Sequence, residues 1–268
     1  MKVAYVGIDI LYPALTSLYD TGVEIIKIFT CKTDNVTEFN TDVISFAKER
    51  DIPIQMERIR KDDLYELLEM GCDFVLVGGY YHIIPVIDEL RIVNIHPAYL
   101  PVGRGAWPMP VTILKGLKES GVTFHRMVPE LDAGDIILQT KVDVYPDDDL
   151  QSLSMRQNST IPSMVQKLVS DFDRLWNSAT PQSEGAQYWE LPAKEECTVR
   201  DTDSFEKADL ILRAFYGYEC YYINTVENKE YEIISARAHK GAAPMPLEGE
   251  TFFSIEGGYI SSQRVRCL

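Results

Sequence analysis

Asn94 and His96 stand two residues apart at the end of the short apolar run IVNI (92–95). On a strand that spacing sends both side chains off the same face. An amide beside an imidazole can donate to a developing oxyanion and handle a proton, which is the chemistry of acyl transfer. Further along, LDAGDI (131–136) places Asp132 and Asp135 at a tight turn before another apolar run. A carboxylate from that turn that reached His96 would fix the ring's tautomer and favour its charged form. Between the two lies PAYLPVGRGAWP (97–108), whose three prolines and two glycines make a shaped, fairly rigid wall. No Ser or Cys sits beside these residues, so the attacking group would be a substrate's own amine, without a covalent enzyme intermediate. On spacing alone the same residues also suit structural roles, and an Asp in an AGD turn is ordinary turn chemistry.

The elements that must position this set are readable in outline. KVAYVGI (2–8), EIIKIFT (24–30), DFVLV (73–77) and IVNI (92–95) are short apolar runs separated by segments with helical spacing. That alternation predicts an α/β domain with a mainly parallel, Rossmann-like sheet, and Asn94 and His96 fall at the carboxyl end of a strand, where such sheets bind ligands. GVTFHRMV (121–128) and IILQTKVDV (136–144) follow as candidates for a mixed or antiparallel part. Gly7 stands alone after the first strand, so the three-glycine dinucleotide fingerprint fails; a Walker loop is also missing. NAD and ATP are disfavoured as cofactors.

Asp147–Asp149 precede an apolar pattern running to Trp176, and read as a solvated helix cap in preference to a metal site. Pro162 is expected to break that helix. SATPQSEGAQ (178–187) reads as a linker, and the tyrosine-rich remainder as a small β-rich domain. The expected organisation is therefore a catalytic domain over 1–178, a linker over 179–187 and a C-terminal domain over 188–268.

The chain has 268 residues, 46% apolar and 25% charged, as in ordinary globular proteins. Its net charge is −15, and the last 81 residues alone carry 9 basic and 14 acidic side chains. Such a balance disfavours nucleic-acid and anionic-membrane partners. No apolar run is long enough to span a bilayer, and the N-terminus reads as a first strand without a cleavable leader. Five cysteines without a CxxC pair fit free thiols and a cytoplasmic address.

Taken together, NIHPAYLP (94–101), GRGAWP (103–108) and LDAGDII (131–137) resemble the folate-dependent formyltransferases. The similarity covers the chain from Met1 to about residue 175. A weaker echo at LILRAFYGYECYY (210–222) is similar to the segment after the linker in methionyl-tRNA formyltransferases. The resemblance implies 10-formyltetrahydrofolate as co-substrate, no metal, and Asn94, His96 and Asp132 as catalytic residues. In that scheme Asn94 and a protonated His96 steady the oxyanion while Asp132 holds His96. It also implies folate contacts from Tyr81, His82, Ile83 and Ile84 in GGYYHIIP (78–85), from Ala98, Tyr99, Leu100 and Pro101, and from Asp135. His82 and the Ala98-Tyr99 pair depart from the usual family residues. Arg104, Gly105 and Trp107 are candidates for the acceptor substrate, with structural roles equally open for Arg104 and Trp107. His125 reads as a structural histidine and His239 as a surface one.

The acidic, comparatively short chain points to a nucleotide-linked amino sugar as acceptor, such as a 4-amino-4,6-dideoxy sugar, with the C-terminal part forming a homodimer contact. The alternatives are a methionyl-tRNA formyltransferase and a non-catalytic folate- or nucleotide-sugar-binding module.

Overall fold

The computed structural model describes residues 1–245 and 249–268. In chain order the elements are β1 (Lys2–Gly7), α1 (Tyr12–Asp20), β2 (Glu24–Phe29), α2 (Thr41–Glu49), β3 (Ile54–Gln55), α3 (Lys61–Glu69), β4 (Phe74–Gly78) and β5 (Ile92–His96). Next come β6 (Val102–Arg104), α4 (Pro108–Leu114), β7 (Glu119–Arg126), β8 (Ile136–Asp143), α5 (Leu150–Ser170), α6 (Phe172–Asn177) and β9 (Gln187–Tyr188). The chain ends with β10 (Thr198–Arg200), α7 (Phe205–Ala214), β11 (Glu219–Asn224), β12 (Lys229–Ile234), β13 (Arg237–Lys240), β14 (Thr251–Ile255), β15 (Gly258–Ser262) and β16 (Arg264–Cys267).

Seven strands form one sheet in the order β3-β2-β1-β4-β5-β7-β8. The pairs β2–β3, β1–β2, β1–β4 and β4–β5 are parallel, and β5–β7 is antiparallel. β4 is buried along its whole length and β1 along all but its first residue, as their unbroken apolar runs require for strands covered on both faces. Alternation along β1 splits the core in two. Val3 and Tyr5 join Leu15, Phe46, Ile161 and Leu168 on one face, while Ala4 and Val6 join Leu64, Leu67 and Ile87 on the other.

α5 runs unbroken through Pro162, contrary to the expected break. The proline leaves the Asn158 carbonyl without its helical donor. Ile161, Met164, Val165 and Leu168 are all buried on the helix's core face, and their burial carries the helix across the defect.

Two compact units partition the chain. The first comprises Met1–Gly105, Ser120–Val142 and Arg156–Tyr188; the second comprises Ala106–Glu119, Asp143–Met155 and Trp189–Leu268. This differs from the sequence-based division at residues 179–187. The polar stretch read as a linker belongs to the first unit: Thr180 exchanges backbone bonds with Ile136, and β9 pairs with β6. Two internal stretches, moreover, belong with the C-terminal residues.

The second unit is β-rich, with a four-stranded sheet in the order β10-β11-β12-β16 and a three-stranded sheet in the order β13-β15-β14. The acidic triplet lies here. Asp149 caps α5 as expected, its carboxylate accepting from the Ser152 amide at 2.8 Å and its own amide donating to Ser152 Oγ at 3.0 Å. The cap is not solvated, however. Asp148 and Asp149 are buried, and Asp149 pairs with Arg237 at 2.9 Å. Many of the tyrosines are engaged inside the unit. Tyr222 and Tyr231 pack with Phe253, Tyr216 lies under Arg237, and Tyr259 stacks on His239. Tyrosine content alone therefore does not define a dimer face, and His239 is a half-buried strand residue bonded to Ser261.

Among the described residues no helix is long and apolar enough to cross a membrane. Four cysteines are buried and Cys267 is exposed; all five are free.

Candidate active site

Three strands of the first unit bring the chemistry together. β4 and β5 run parallel with Val77 opposite Asn94, so the carboxyl end of β5 lies beside the exit of β4. β7 runs antiparallel on the other side, with His125 opposite Asn94 and Thr123 opposite His96. The LDAGD turn after β7 then returns Asp132 to the same spot.

Asp132 is the hub. Its Oδ2 accepts the Gly105 amide at 3.0 Å and lies 3.6 Å from His96 Nδ1. Its Oδ1 lies 3.4 Å from Asn94 Nδ2 and 3.5 Å from His125 Nε2. The predicted grouping of Asn94, His96 and Asp132 is thus assembled. Asp132 itself has φ +52°, a left-handed conformation that Asp tolerates better than most residues, and Gly105 has φ +125°, which only glycine adopts freely.

Electrostatics sets the resting charges. Burial alone would raise the Asp132 carboxyl, but the hydrogen bond with His125, the nearby His96 ring and the Gly105 amide outweigh it and hold it below its ordinary value. Burial pushes the His96 ring down; Asp132 and the Gly103 carbonyl oppose this without overcoming it, and His125 adds to it. Burial thus favours a carboxylate beside a neutral imidazole at rest. His96 Nε2 lies 2.7 Å from the Gly103 carbonyl, which can only accept, so Nε2 carries the hydrogen and Nδ1 is the open basic nitrogen.

The remaining candidates divide. Tyr81, His82 and Ile83 are exposed on the loop leaving β4, and Ile83, at 81% exposure, is an apolar side chain with an uncovered face beside the strand ends. Ile84 points into the core. Ala98 and Leu100 are buried, and their backbone is used internally: the Ala98 carbonyl accepts from Thr123 Oγ1, the Leu100 amide donates to the same oxygen, and the Leu100 carbonyl accepts from Gln139. Those two therefore shape the wall instead of offering side chains to a ligand. Tyr99 is exposed beneath Lys141, and Pro101 accepts the Gln187 amide. Asp135 turns away from His96 to pair with Arg126 at 3.0 Å.

Arg104 commits Nε and Nη2 to Gln182. The backbone of Gly105 serves Asp132. Trp107, in the second unit, packs against Phe215 and Tyr218, and its indole nitrogen is buried without a hydrogen-bond partner. The sequence reading set His125 aside as structural and missed Gln182, since neither has a local signal of a place in the site.

Residues 18–167, more than half of the chain, match the family model described as formyl transferase. The chain belongs to the formyl transferase family. Along nearly its whole length it is also similar to the methionyl-tRNA formyltransferase of Rickettsia bellii (strain RML369-C), at 28% identity over 96% of this chain and 95% of that one. Among solved structures, HypX from Aquifex aeolicus in complex with tetrahydrofolic acid superposes with a TM-score of 0.72 at 17% identity, covering 100% of this chain. This chain spans 44% of that HypX chain. WlaRD, a sugar 3N-formyl transferase in the presence of dTDP and 5-N-formyl-THF, gives a TM-score of 0.66 at 20% identity, covering 98% of this chain and 97% of that one. These solved relatives share the formyl transferase fold. One expectation is corrected: the match spans 95% of the Rickettsia enzyme, so a shorter chain does not separate this protein from tRNA formyltransferases.

Proposed function

We propose that this formyl transferase moves a formyl group from 10-formyltetrahydrofolate to the primary amine of a nucleotide-linked amino sugar. The observation that carries formyl transfer is the cluster of half-buried Asn94 with buried His96 and Asp132 at the carboxyl end of β5. The exposed loop with Tyr81 and Ile83 suits a flat folate ring, since it offers uncovered apolar and aromatic surface where β4 ends. When bound, the folate supplies a formyl carbon on N10 that a neutral amine can attack.

The chain's own residues then do the following. His96 Nδ1 takes the proton that the amine gives up, because its other nitrogen is held by Gly103, and returns it to the folate nitrogen as the carbon–N10 bond breaks. Asp132 Oδ2, 3.6 Å away, steadies the imidazolium so formed. The Gly105 amide and the side chains around Asp132 keep that carboxylate ionised and in place.

The acceptor assignment is supported by the net charge of −15 and by the absence of basic excess in the C-terminal residues. A sugar diphosphate needs only a few placed donors, whereas a tRNA presents a long arc of phosphates. A second reading, the amine of an aminoacylated tRNA, is favoured by the near full-length match to the Rickettsia enzyme. Incubation with 10-formyltetrahydrofolate and separate pools of amino-sugar nucleotides and methionyl-tRNA, read by mass spectrometry, decides between them. Formylation of a sugar nucleotide is expected. Formylation of the tRNA alone would overturn the acceptor assignment, and release of no tetrahydrofolate with any amine would overturn the transfer itself.

A further inference from the structure

We propose that Thr123 is a positioning residue for His96: its hydroxyl, with the Gln139 amide behind it, sets the loop that brings the Gly103 carbonyl onto His96 Nε2 and so keeps Nδ1 open as the base. The inference rests on the formyl-transfer reading above and adds a residue to that site.

The loop concerned begins and ends on one histidine. It leaves β5 at His96, and seven residues later the Gly103 carbonyl returns to the His96 ring at 2.7 Å. Nothing in Gly103 itself aims that carbonyl, since glycine turns freely and this one has φ +84°. Within the loop the Val102 amide reaches the Tyr99 carbonyl at 3.3 Å, a long bond set against many soft dihedrals. The direction must come from outside the loop.

Thr123 supplies it. The residue is fully buried and stands opposite His96 in the antiparallel β5–β7 pairing, so the two side chains leave the same face of the sheet. Its Oγ1 donates to the Ala98 carbonyl at 2.7 Å and accepts the Leu100 amide at 3.2 Å and Gln139 Nε2 at 2.9 Å. The hydroxyl hydrogen and both lone pairs are thus in use. The second hydrogen of Gln139 Nε2 goes to the Leu100 carbonyl at 2.6 Å.

Ala98 and Leu100 are therefore fixed from β7 and β8, and the chain that runs on to Gly103 leaves from a set point. Two acceptors compete for the one hydrogen of a neutral His96 ring: the Gly103 carbonyl at Nε2 and Asp132 Oδ2, 3.6 Å from Nδ1. If the loop slackened and Gly103 withdrew, Asp132 would draw that hydrogen to Nδ1. That nitrogen could then take no proton from the amine.

The test uses the full chain. Nitrogen-15 NMR at pH 8 should show a pyrrole-type Nε2 and a pyridine-type Nδ1 for His96 in the wild type, and a larger share of the opposite tautomer in Thr123→Val. In steady-state assays Thr123→Val should lower kcat about tenfold or more, and Thr123→Ser, which can make the same three bonds, should recover most of it. Gln139→Met keeps the hydroxyl and removes the amide behind it; it should lose less activity and shift the tautomer the same way. The opposite tautomer in the wild type, an unchanged tautomer in folded Thr123→Val, or equal losses in the Ser and Val variants overturns the inference. If Thr123→Val fails to fold, the tautomer in Gln139→Met decides by the same rule. Absence of transfer in the wild type would count against the parent reading, while the tautomer measurement stands independently.

Discussion

Gln182 holds Asp132 from behind. Its side-chain nitrogen donates to the carbonyls of Asp132 and Gly134 at 2.7 and 2.9 Å, while its oxygen accepts Arg104 Nη2 and Nε at 2.8 and 3.0 Å. One amide thus ties the left-handed Asp132 turn to the loop that supplies the Gly105 amide. Gln182→Ala should lower kcat/KM about tenfold through a looser Asp132, with the fold retained by circular dichroism. Unchanged kinetics would show that the turn holds itself.

Asp132→Asn keeps the shape of the hub and removes its charge. The Asn94 NH2 then meets an NH2 or a weaker acceptor, and His96 loses the carboxylate that stabilises its charged form. Turnover should fall at least about a hundredfold while the melting temperature shifts far less than activity does. A near-normal rate in a folded variant would remove Asp132 from the site.

His96 and Asp132 also make stability depend on pH in a defined direction. His96 is held below its ordinary value of 6.5, so the unfolded chain binds that proton more readily and stability is lost as pH falls below 6.5. Asp132, held below its ordinary 3.8, contributes stability above that pH which is lost as pH falls further. Urea titrations between pH 8 and pH 4 should show a declining limb in the wild type that is flattened in His96→Asn. The same variant should lose at least about a hundredfold in turnover. An equally steep limb in His96→Asn would mean that another group carries the effect.

Gly134 has no room for a side chain. A Cβ there would stand 1.9 Å from the Arg126 carbonyl oxygen, which belongs to the backbone and cannot swing aside. Gly134→Ala should cost about 3 kcal/mol or more and disturb the Asp132 turn, whereas Gly116→Ala, with nothing within 4 Å and only its φ of +60° against it, should cost about 1 kcal/mol. Chemical denaturation of both variants measures the difference, and equal losses would contradict the close approach.

The parts of this site that were legible in the sequence are those in which one strand carries the information. Asn94 and His96 share a face because of the two-residue repeat, and the buried strands announce themselves as unbroken apolar runs. His125 was read as merely structural because its place at the site lies in register: it faces Asn94 across an antiparallel pair formed by residues 31 apart. Gln182 escaped because a glutamine among small polar residues looks like any turn, and its work is done on carbonyls 48 and 50 positions earlier. Pro162 misled because local propensity argued for a break that burial of the surrounding apolar face overrides.

The chain crosses from the first compact unit to the second at Ala106, returns at Ser120, crosses again at Asp143 and returns at Arg156. A molecule threaded in this way cannot trade its C-terminal part as a cassette. A chimera that grafts a relative's tail after Tyr188 would still carry this protein's own α4 and the Asp149 cap, with Trp107 deprived of Phe215 and Tyr218 and Asp149 deprived of Arg237. Recombination that exchanges the second unit intact would have to move three separated stretches together.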